Sequence, residues 1–176
     1  SRIILATGEV HMADDYTLYA LDGNKTILWR KTGFSDIPAV HDGVAYLTIN
    51  GNLQAVDIVS GDLIWENTTV SSFDNAIAYH DGKLYISGSN GYIYGVDATN
   101  GSILWEYFSG TYGAISSSPT VVDNIVYVGG NGGKVFGLNL DGTEKKVYTI
   151  TGVTSSVRSS PAVKDNRIYF GNDNGY

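Results

Sequence analysis

The chain of 176 residues carries 11 basic and 18 acidic residues, which gives a formal net charge of −7, and 43% of its residues are hydrophobic. The charge balance argues against nucleic acid as a partner, because phosphate binding needs clustered Lys and Arg. No long apolar run is present, so direct membrane insertion is not expected. The chain has no Cys, which excludes a disulfide framework and a thiolate metal site.

Taken in chain order, the predicted elements are short β-strands separated by turns. Residues 2–8 resemble the second strand of a four-stranded unit, so the first unit, approximately 1–34, is predicted to lack its first strand. Complete units are predicted at approximately 35–70, 71–110 and 111–150. A last partial unit, 151–176, has a first and a second strand. Apolar residues nowhere sustain a period of 3.6, so almost no helix is expected.

Each complete unit is predicted to contain four strands, A to D. Strand A lies around Pro38–Val40 in the first complete unit and is followed by a tight Asp-Gly or Asp-Asn turn, a strong hairpin signal. A Tyr-containing strand B leads through an Asn/Gly turn into strand C. Strand D then ends at a Trp in two of the complete units, Trp65 and Trp105.

Sequence markers repeat along the chain with a period of about 40 residues. The first marker is an aspartate that precedes the C–D turn: Asp22, Asp57 and Asp97, with Asn139 in the fourth copy. The second is the strand B tyrosine: Tyr46, Tyr85, Tyr127 and Tyr169. Repeated four-stranded antiparallel units of this length are typical of β-propeller blades. The sequence therefore predicts an all-β fold with a single propeller domain over residues 1–176, containing three complete and two partial blades.

The pattern Ala-x-Asp-x-x-x-Gly-x-x-x-Trp resembles the tryptophan-docking repeat of the quinoprotein (PQQ-type) propellers. The second unit has it in full, at Ala55, Asp57, Gly61 and Trp65. The third unit differs only in its first residue, with Gly95, Asp97, Gly101 and Trp105. The first copy is one residue short, with Ala20, Asp22 and Trp29, and with Thr26 where Gly is expected. The fourth copy departs further: Gly142 is out of register and Val147 is assigned to the Trp position.

The resemblance implies that each Trp docks on the motif of the neighbouring blade and holds the blades together. It also implies a closed ring of seven or eight blades, of which this chain would be an arc. A fragment of a longer polypeptide is the favoured interpretation. The alternative is homodimeric ring closure, in which two chains each supply half the blades and cover one another's open strand edges.

Binding in such an arc is expected on the face that carries the D–A loops and B–C turns, because these loops project from a rigid scaffold. The position three residues before the Pro position of each strand A selects Ser35, Asp74, Ser116 and Arg158. Asp74 and Arg158 are charged, so we expect a polar contact with a ligand or partner at the channel mouth; a solvated loop is the alternative. His41 and His80 precede turn aspartates, and we interpret both as turn residues. No catalytic or metal-binding residue is predicted.

The preferred functional hypothesis is a non-catalytic scaffold, similar to the lipoprotein propellers that assist outer-membrane protein assembly. This resemblance implies an extracytoplasmic location and a protein partner, and no cofactor is expected. The chain itself shows no signal peptide. The first alternative is part of a quinoprotein dehydrogenase, which by the resemblance would use PQQ and calcium. Against it, the chain has no Cys pair and no Trp outside the docking positions. The second alternative is an ectodomain that senses a small ligand or glycan at the channel mouth.

Overall fold

The computed structural model describes residues 3–7, 16–70, 72–73, 75–110, 115 and 117–173. These residues form seventeen β-strands in five separate antiparallel sheets, which we call units 1 to 5 in chain order. The described residues contain no helix, and so no helical segment able to cross a membrane.

Three of the five sheets have four strands, and the first and last sheets have fewer. Unit 1 has three strands: β1 (Ile3–Thr7), β2 (Thr17–Leu21) and β3 (Ile27–Thr32). Unit 2 has four: β4 (Ala39–His41), β5 (Val44–Ile49), β6 (Asn52–Asp57) and β7 (Leu63–Asn67). Unit 3 comprises β8 (Ala78–His80), β9 (Lys83–Ser87), β10 (Tyr92–Asp97) and β11 (Ile103–Phe108). Unit 4 comprises β12 (Thr120–Val122), β13 (Ile125–Gly130), β14 (Lys134–Asn139) and β15 (Glu144–Thr149). Unit 5 has two: β16 (Ala162–Lys164) and β17 (Arg167–Tyr169).

Strands pair in the order A-B-C-D within each complete unit, which confirms the predicted all-β propeller arc. The A–B turns are built as the sequence predicts. In unit 2, Asp42 (φ 44°) and Gly43 (φ 80°) both adopt positive φ, and in unit 4 Asp123 (φ 51°) and Asn124 (φ 60°) do the same. Two consecutive residues with positive φ match the right-handed twist of the flanking strands, so each turn closes a tight hairpin.

The C–D pairing is interrupted at the same place in units 1 to 4. The register shifts between Ala20 and Leu21, Ala55 and Val56, Gly95 and Val96, and Gly137 and Leu138. An extra residue on the outer strand at this point bends that strand and increases its twist. The irregularity aims the residue that follows it, which is the docking Trp in units 1 to 3.

The hydrophobic core lies between successive sheets as three layers. The layer between units 1 and 2 includes Leu18, Trp29 and Leu47, and the layer between units 2 and 3 includes Tyr46, Leu84 and Val96. The layer between units 3 and 4 is built in the same way around Tyr85, Val126 and Phe136. The sheets of units 2 and 3 therefore each bury one face against the sheet before them and the other against the sheet after them.

Candidate functional site

Three tryptophans link each of units 1 to 3 to the unit that follows. Each indole Nε1–H donates a hydrogen bond to a backbone carbonyl in the C–D turn of the next unit. The pairs are Trp29 to Ile58 at 3.1 Å, Trp65 to Ala98 at 3.0 Å and Trp105 to Leu140 at 3.0 Å. The side chains are buried or partly buried between the sheets. The indoles therefore act as staples, combining apolar burial with a satisfied N–H.

Each indole lies flat against a glycine of the turn that receives it. A β-carbon at Gly61 would come within 2.6 Å of Trp29, and one at Gly101 within 2.5 Å of Trp65. Both glycines have positive φ, 76° and 74°. Glycine is required here on two counts, because a side chain would strain the backbone and displace the indole.

The motif aspartates shape the receiving turn. The Asp57 carboxylate accepts hydrogen bonds from the backbone N–H groups of Val59 and Ser60, at 2.7 and 2.8 Å. Asp97 accepts from the backbone N–H and the hydroxyl of Thr99, at 2.7 and 2.5 Å. The Thr99 hydroxyl, followed by its N–H, lowers the pKa of Asp97. The carboxylate holds the turn, and the turn presents the carbonyl of Ala98 to Trp65.

The first motif aspartate, Asp22, caps its own turn in the same way. Its Oδ1 accepts from the N–H groups of Asn24 and Thr26, both at 2.8 Å. The hydrogen bond from the Thr26 N–H is the main cause that lowers the pKa of Asp22. The glycine position of this turn is occupied by Lys25 (φ 66°) and not, as predicted, by Thr26, since the Lys25 N–H donates to the Asp22 carbonyl as the Gly61 N–H donates to that of Asp57.

Small residues lie opposite each Trp within its own sheet. Ala20 pairs with Trp29, Ala55 with Trp65 and Gly95 with Trp105 across the C–D ladder. The Trp105 ring lies so close to Gly95 that a β-carbon there would be 2.3 Å from the ring. The small side chain lets the indole fold over its own sheet before it reaches the next one.

The assignment of the fourth copy is corrected in two respects. Gly142 is not out of place: a β-carbon there would come within 2.5 Å of Trp105, so it receives that indole as Gly61 and Gly101 receive theirs. The residue in the Trp position is Lys146, not Val147, since Lys146 pairs with Gly137 as Trp105 pairs with Gly95. The C–D turn of unit 4 is one residue shorter than the turns of units 2 and 3. Each residue after the turn is therefore displaced by one position when the copies are aligned without a gap.

The predicted channel-mouth residues are placed only in part. Ser35 is exposed, and its backbone N–H donates to the carbonyl of Thr48 at 3.0 Å. Arg158 is exposed, and its Nε donates to the carboxylate of Asp173 in the B–C turn of unit 5 at 2.7 Å. Asp74 and Ser116 lie outside the described residues. The structure thus brings Arg158 together with an acidic neighbour that the sequence did not identify.

In units 3, 4 and 5, the position that follows the predicted channel-mouth residue anchors the D–A loop to strand B or to the turn after it. Asn75, which is buried, donates to the hydroxyl and carbonyl oxygens of Ser87, at 3.0 and 3.2 Å. The hydroxyls of Ser117 and Ser159 accept the N–H groups of Gly129 and Gly171, at 2.9 and 2.6 Å. The sequence analysis did not identify Asn75, Ser117 and Ser159 as loop anchors. The one sequence signal for them is a small polar residue directly after each predicted channel-mouth residue.

The first turn histidine, His41, packs against the next unit. His41 stacks on the ring of Tyr79 in the next unit, with centroids 4.0 Å apart, and its Nε2 lies 3.2 Å from Asp42. In the part of the chain that the structure describes, no three His, Asp or Glu side chains are close enough to hold a metal ion.

Comparison with known proteins places this geometry in a family context. The family model described as "Outer membrane protein assembly factor BamB", of the PQQ type, matches residues 14–176. The protein of that name from Moranella endobia (strain PCIT) is 36% identical over 84 residues, which cover 47% of this chain and 21% of the relative. The dehydrogenase subunit of the quinone alcohol dehydrogenase of Gluconacetobacter polyoxogenes is 28% identical over 100 residues, covering 47% of this chain and 14% of that protein.

A solved structure shares the fold over almost the whole chain. The crystal structure of BamB from Moraxella catarrhalis superposes with a TM-score of 0.75 at 18% sequence identity, covering 98% of this chain and 60% of that one. At this identity the likeness shows the fold alone. The chain matches about a fifth or less of the length of the curated relatives.

Proposed function

The chain belongs to the family of the outer membrane protein assembly factor BamB, and on that premise we propose that it is a non-catalytic, extracytoplasmic scaffold that binds protein partners. The observation that carries the proposal is the family match over residues 14–176, together with a relative of that name at 36% identity. The stapled architecture supports it, because a rigid frame that presents loops is what a scaffold needs.

We assign partner binding to the face that carries the D–A loops and B–C turns. These loops are fixed to the sheets by the buried Asn75 and by the Ser117 and Ser159 hydroxyls. Exposed apolar and charged side chains project from the same face, among them Ile37, which is 67% exposed, and the Arg158–Asp173 pair. Fixed loops with mixed polar and apolar exposure suit protein contact at a low conformational cost.

The proposal includes no cofactor. The enzymatic alternative rests on the likeness to quinone-dependent alcohol dehydrogenases. By the family resemblance a quinone in the channel would stack on a Trp, and all three Trp of this chain are engaged between sheets, each with its N–H bonded to the next unit. These three indoles are therefore not available to a quinone, and we derive no redox chemistry for the chain.

We also propose that further propeller units cover the open strand edges of units 1 and 5. They come either from the same polypeptide or from a second copy that closes the ring, since an uncovered edge favours pairing with other chains. Light scattering on the purified chain distinguishes the two sources. A mass of two chains supports closure by a second copy, and a mass of one chain argues against it and favours units from the same polypeptide.

Site-specific photocrosslinking tests the scaffold proposal. A photoreactive amino acid is placed at Ile37 on the loop face, and at Val59, which is 50% exposed, on the opposite face as the matched control. In a Gram-negative host, we expect crosslinks to outer-membrane assembly proteins from Ile37 and not from Val59. Equal or absent crosslinks from both positions would overturn the assignment. Dye-linked alcohol oxidation on addition of PQQ and calcium would overturn the non-catalytic proposal.

A further inference from the structure

The first junction, between units 1 and 2, lacks an aromatic ring that the next two junctions have. In the second junction Tyr94 of strand C is 2% exposed and meets Phe73 edge-on, with ring centroids 5.2 Å apart. In the third junction Phe136 of strand C is 3% exposed and packs against Tyr107, with centroids 5.9 Å apart. The equivalent residue of unit 2 is Gln54, because all three directly precede the small residue opposite the Trp position.

A groove with a volume of about 530 Å³ lies at this part of the first junction. Strand D of unit 1 forms one wall, and strands B and C of unit 2 with the turn between them form the other. We call it the basic pocket, and its lining is Arg30, Lys31, Thr32, Ile49, Asn50 and Gln54. Both of its walls belong to sheets that are already joined by a docked indole, that of Trp29. The pocket is therefore formed within the described arc.

The basic pocket is positively charged in a chain whose net charge is −7. Arg30 is exposed and Lys31 is half-buried, and within the described ranges neither side chain forms a salt bridge. Glu66, on strand D of unit 2, accepts hydrogen bonds from the amides of Asn52 and Gln54, at 3.2 and 2.8 Å, so its carboxylate is engaged within its own sheet. Unit 1 alone among the three units with a docked Trp carries two cations directly after it; the other units carry Glu66 with Asn67 and Glu106 with Tyr107.

We propose that the basic pocket binds the carboxylate side chains of an acidic segment presented by a protein partner. A carboxylate that lies between a guanidinium and an ammonium accepts charge-assisted hydrogen bonds, which are stronger than neutral ones. The Thr32 hydroxyl and the Asn50 amide are further donors in the lining. Ile49, which is 8% exposed, adds an apolar surface for the methylene groups of a Glu side chain.

The size and position of the pocket favour a polypeptide over a free anion. Its volume lies within the range of about 300–1,000 Å³ that is usual for ligand pockets, which is ample for acidic side chains with part of their backbone. Thr32 leads into the D–A loop and Asn50 lies in the B–C turn, so the pocket opens at the face to which we assign partner binding. The inference rests on the proposed function and specifies the chemistry of the partner.

An NMR titration of the isotope-labelled chain tests the proposal, because it also measures weak binding. The peptide Gly-Ser-Glu-Glu-Ser-Gly is compared with Gly-Ser-Gln-Gln-Ser-Gly, both with blocked termini so that only the side chains differ in charge. We expect the Glu peptide to bind at least about tenfold more tightly than the Gln peptide, since only its side chains form charge-assisted hydrogen bonds. Its addition should shift the backbone amide signals of Thr32 and Asn50.

Two variants and one control identify the pocket as the binding site. Lys31→Gln removes a charge and keeps a side chain of similar shape, so binding of the Glu peptide weakens by at least about tenfold. Gln54→Tyr places in unit 2 the ring that Tyr94 supplies in unit 3; it fills the pocket, keeps both cations and also weakens binding. Lys25→Gln removes an exposed charge from the C–D turn of unit 1 and leaves binding unchanged.

The possible results separate this inference from the proposed function. Equal affinity for the Glu and Gln peptides, or unchanged binding in both Lys31→Gln and Gln54→Tyr, would overturn the inference. Sodium acetate or inorganic phosphate that binds as tightly as the Glu peptide would overturn the assignment to a polypeptide. Crosslinks from Ile37 without peptide binding would remove this inference alone, whereas peptide binding without those crosslinks would count against the scaffold function and leave the preference for carboxylates standing.

Discussion

Replacing Gly101 by Ala separates the indole-docking contribution to stability from the backbone contribution. Gly101 has φ 74°, and its added β-carbon would lie 2.5 Å from Cε3 and 2.7 Å from Cζ3 of Trp65. Left-handed backbone costs an L-residue about 1–2 kcal/mol. Forcing a methyl group into a packed contact costs about 1–3 kcal/mol more, and losing the Trp65 hydrogen bond about 1 kcal/mol. We expect Gly101→Ala to lower the free energy of unfolding by about 3–6 kcal/mol.

The matched control is Gly82→Ala in the A–B turn of the same unit. Gly82 has φ 73°, and a β-carbon there meets nothing within 4 Å, so only the backbone cost of about 1–2 kcal/mol applies. Urea unfolding of both variants gives the docking contribution as their difference, about 2–4 kcal/mol. Equal destabilisation by the two substitutions would refute the reasoning, because the indole would then be shown to tolerate a side chain at the docking glycine.

Three further substitutions test the docking of Trp105 and the hydrogen bonds of Tyr107 and Asp97. Gly142→Ala should destabilise the fold by about 2 kcal/mol more than the control Gly152→Ala, because the β-carbon added at Gly152 (φ 80°) meets nothing within 4 Å. Thermal unfolding measures both variants, and equal losses of stability would contradict a docking role for Gly142. Burial, and then the 2.5 Å hydrogen bond to Glu144, raise the pKa of Tyr107 to about 12, so its stabilising effect is complete below its usual pKa of 10.0 and is lost as pH rises through about 12. Burial raises the pKa of Tyr85 to about 12 as well, so in an alkaline melting series Tyr107→Phe should show a smaller loss of stability over this range than wild type, and equal losses would contradict the role of Tyr107. Thr99 lowers the pKa of Asp97, so the stability that the ionised carboxylate contributes is present above the ordinary pKa of 3.8 and falls as the pH drops through the lowered pKa. In an acid melting series, wild type should therefore lose this contribution and Asp97→Asn should not; identical series for the two proteins would contradict this.

The repeat structure could be predicted from the sequence because its signals are local. A tight A–B turn needs two consecutive residues with positive φ, and Asp-Gly and Asp-Asn are the pairs that supply them most readily. These pairs recur with the period of the units, so hairpin position and strand order followed from the turns. The docking Trp was visible for a similar reason, since it follows the turn glycine at a fixed spacing in units 2 and 3.

The other half of the docking site carries no sequence signal. The acceptors for the three indoles are backbone carbonyls of Ile58, Ala98 and Leu140, and any residue type supplies a carbonyl. The role of Gly142 was hidden because its turn is one residue shorter than those of units 2 and 3. The turn of unit 4 holds its glycine against the indole although it is one residue shorter, and strand D carries the same bulge as in units 2 and 3. Residue spacing alone does not detect a conserved contact across turns of different length.

The channel face could be located from the sequence, but its side-chain pairing could not. Topology alone puts the D–A loops and B–C turns on one face, because neighbouring strands are antiparallel. The Arg158–Asp173 contact joins two loops of unit 5 that are 15 residues apart and share no motif. Pairings of this kind depend on loop conformation, which tertiary packing decides.

The staples also predict where the arc is least stable. Units 1 to 4 are joined by three indoles, whereas the Trp position of unit 4 is occupied by Lys146, whose Nζ lies over the Tyr148 ring of its own strand. Strand β17 pairs only with β16 among the described strands, and a two-stranded sheet is marginal by itself. Its equivalent in unit 4, β13, is paired on both sides and mostly buried. We therefore expect amide hydrogens of β17 to exchange at least about a hundredfold faster than those of β13, as local opening of unit 5 precedes global unfolding. Equal protection of the two strands would mean that the fourth junction is as stable as the stapled ones, and that the indoles are not what makes units 1 to 4 cooperative.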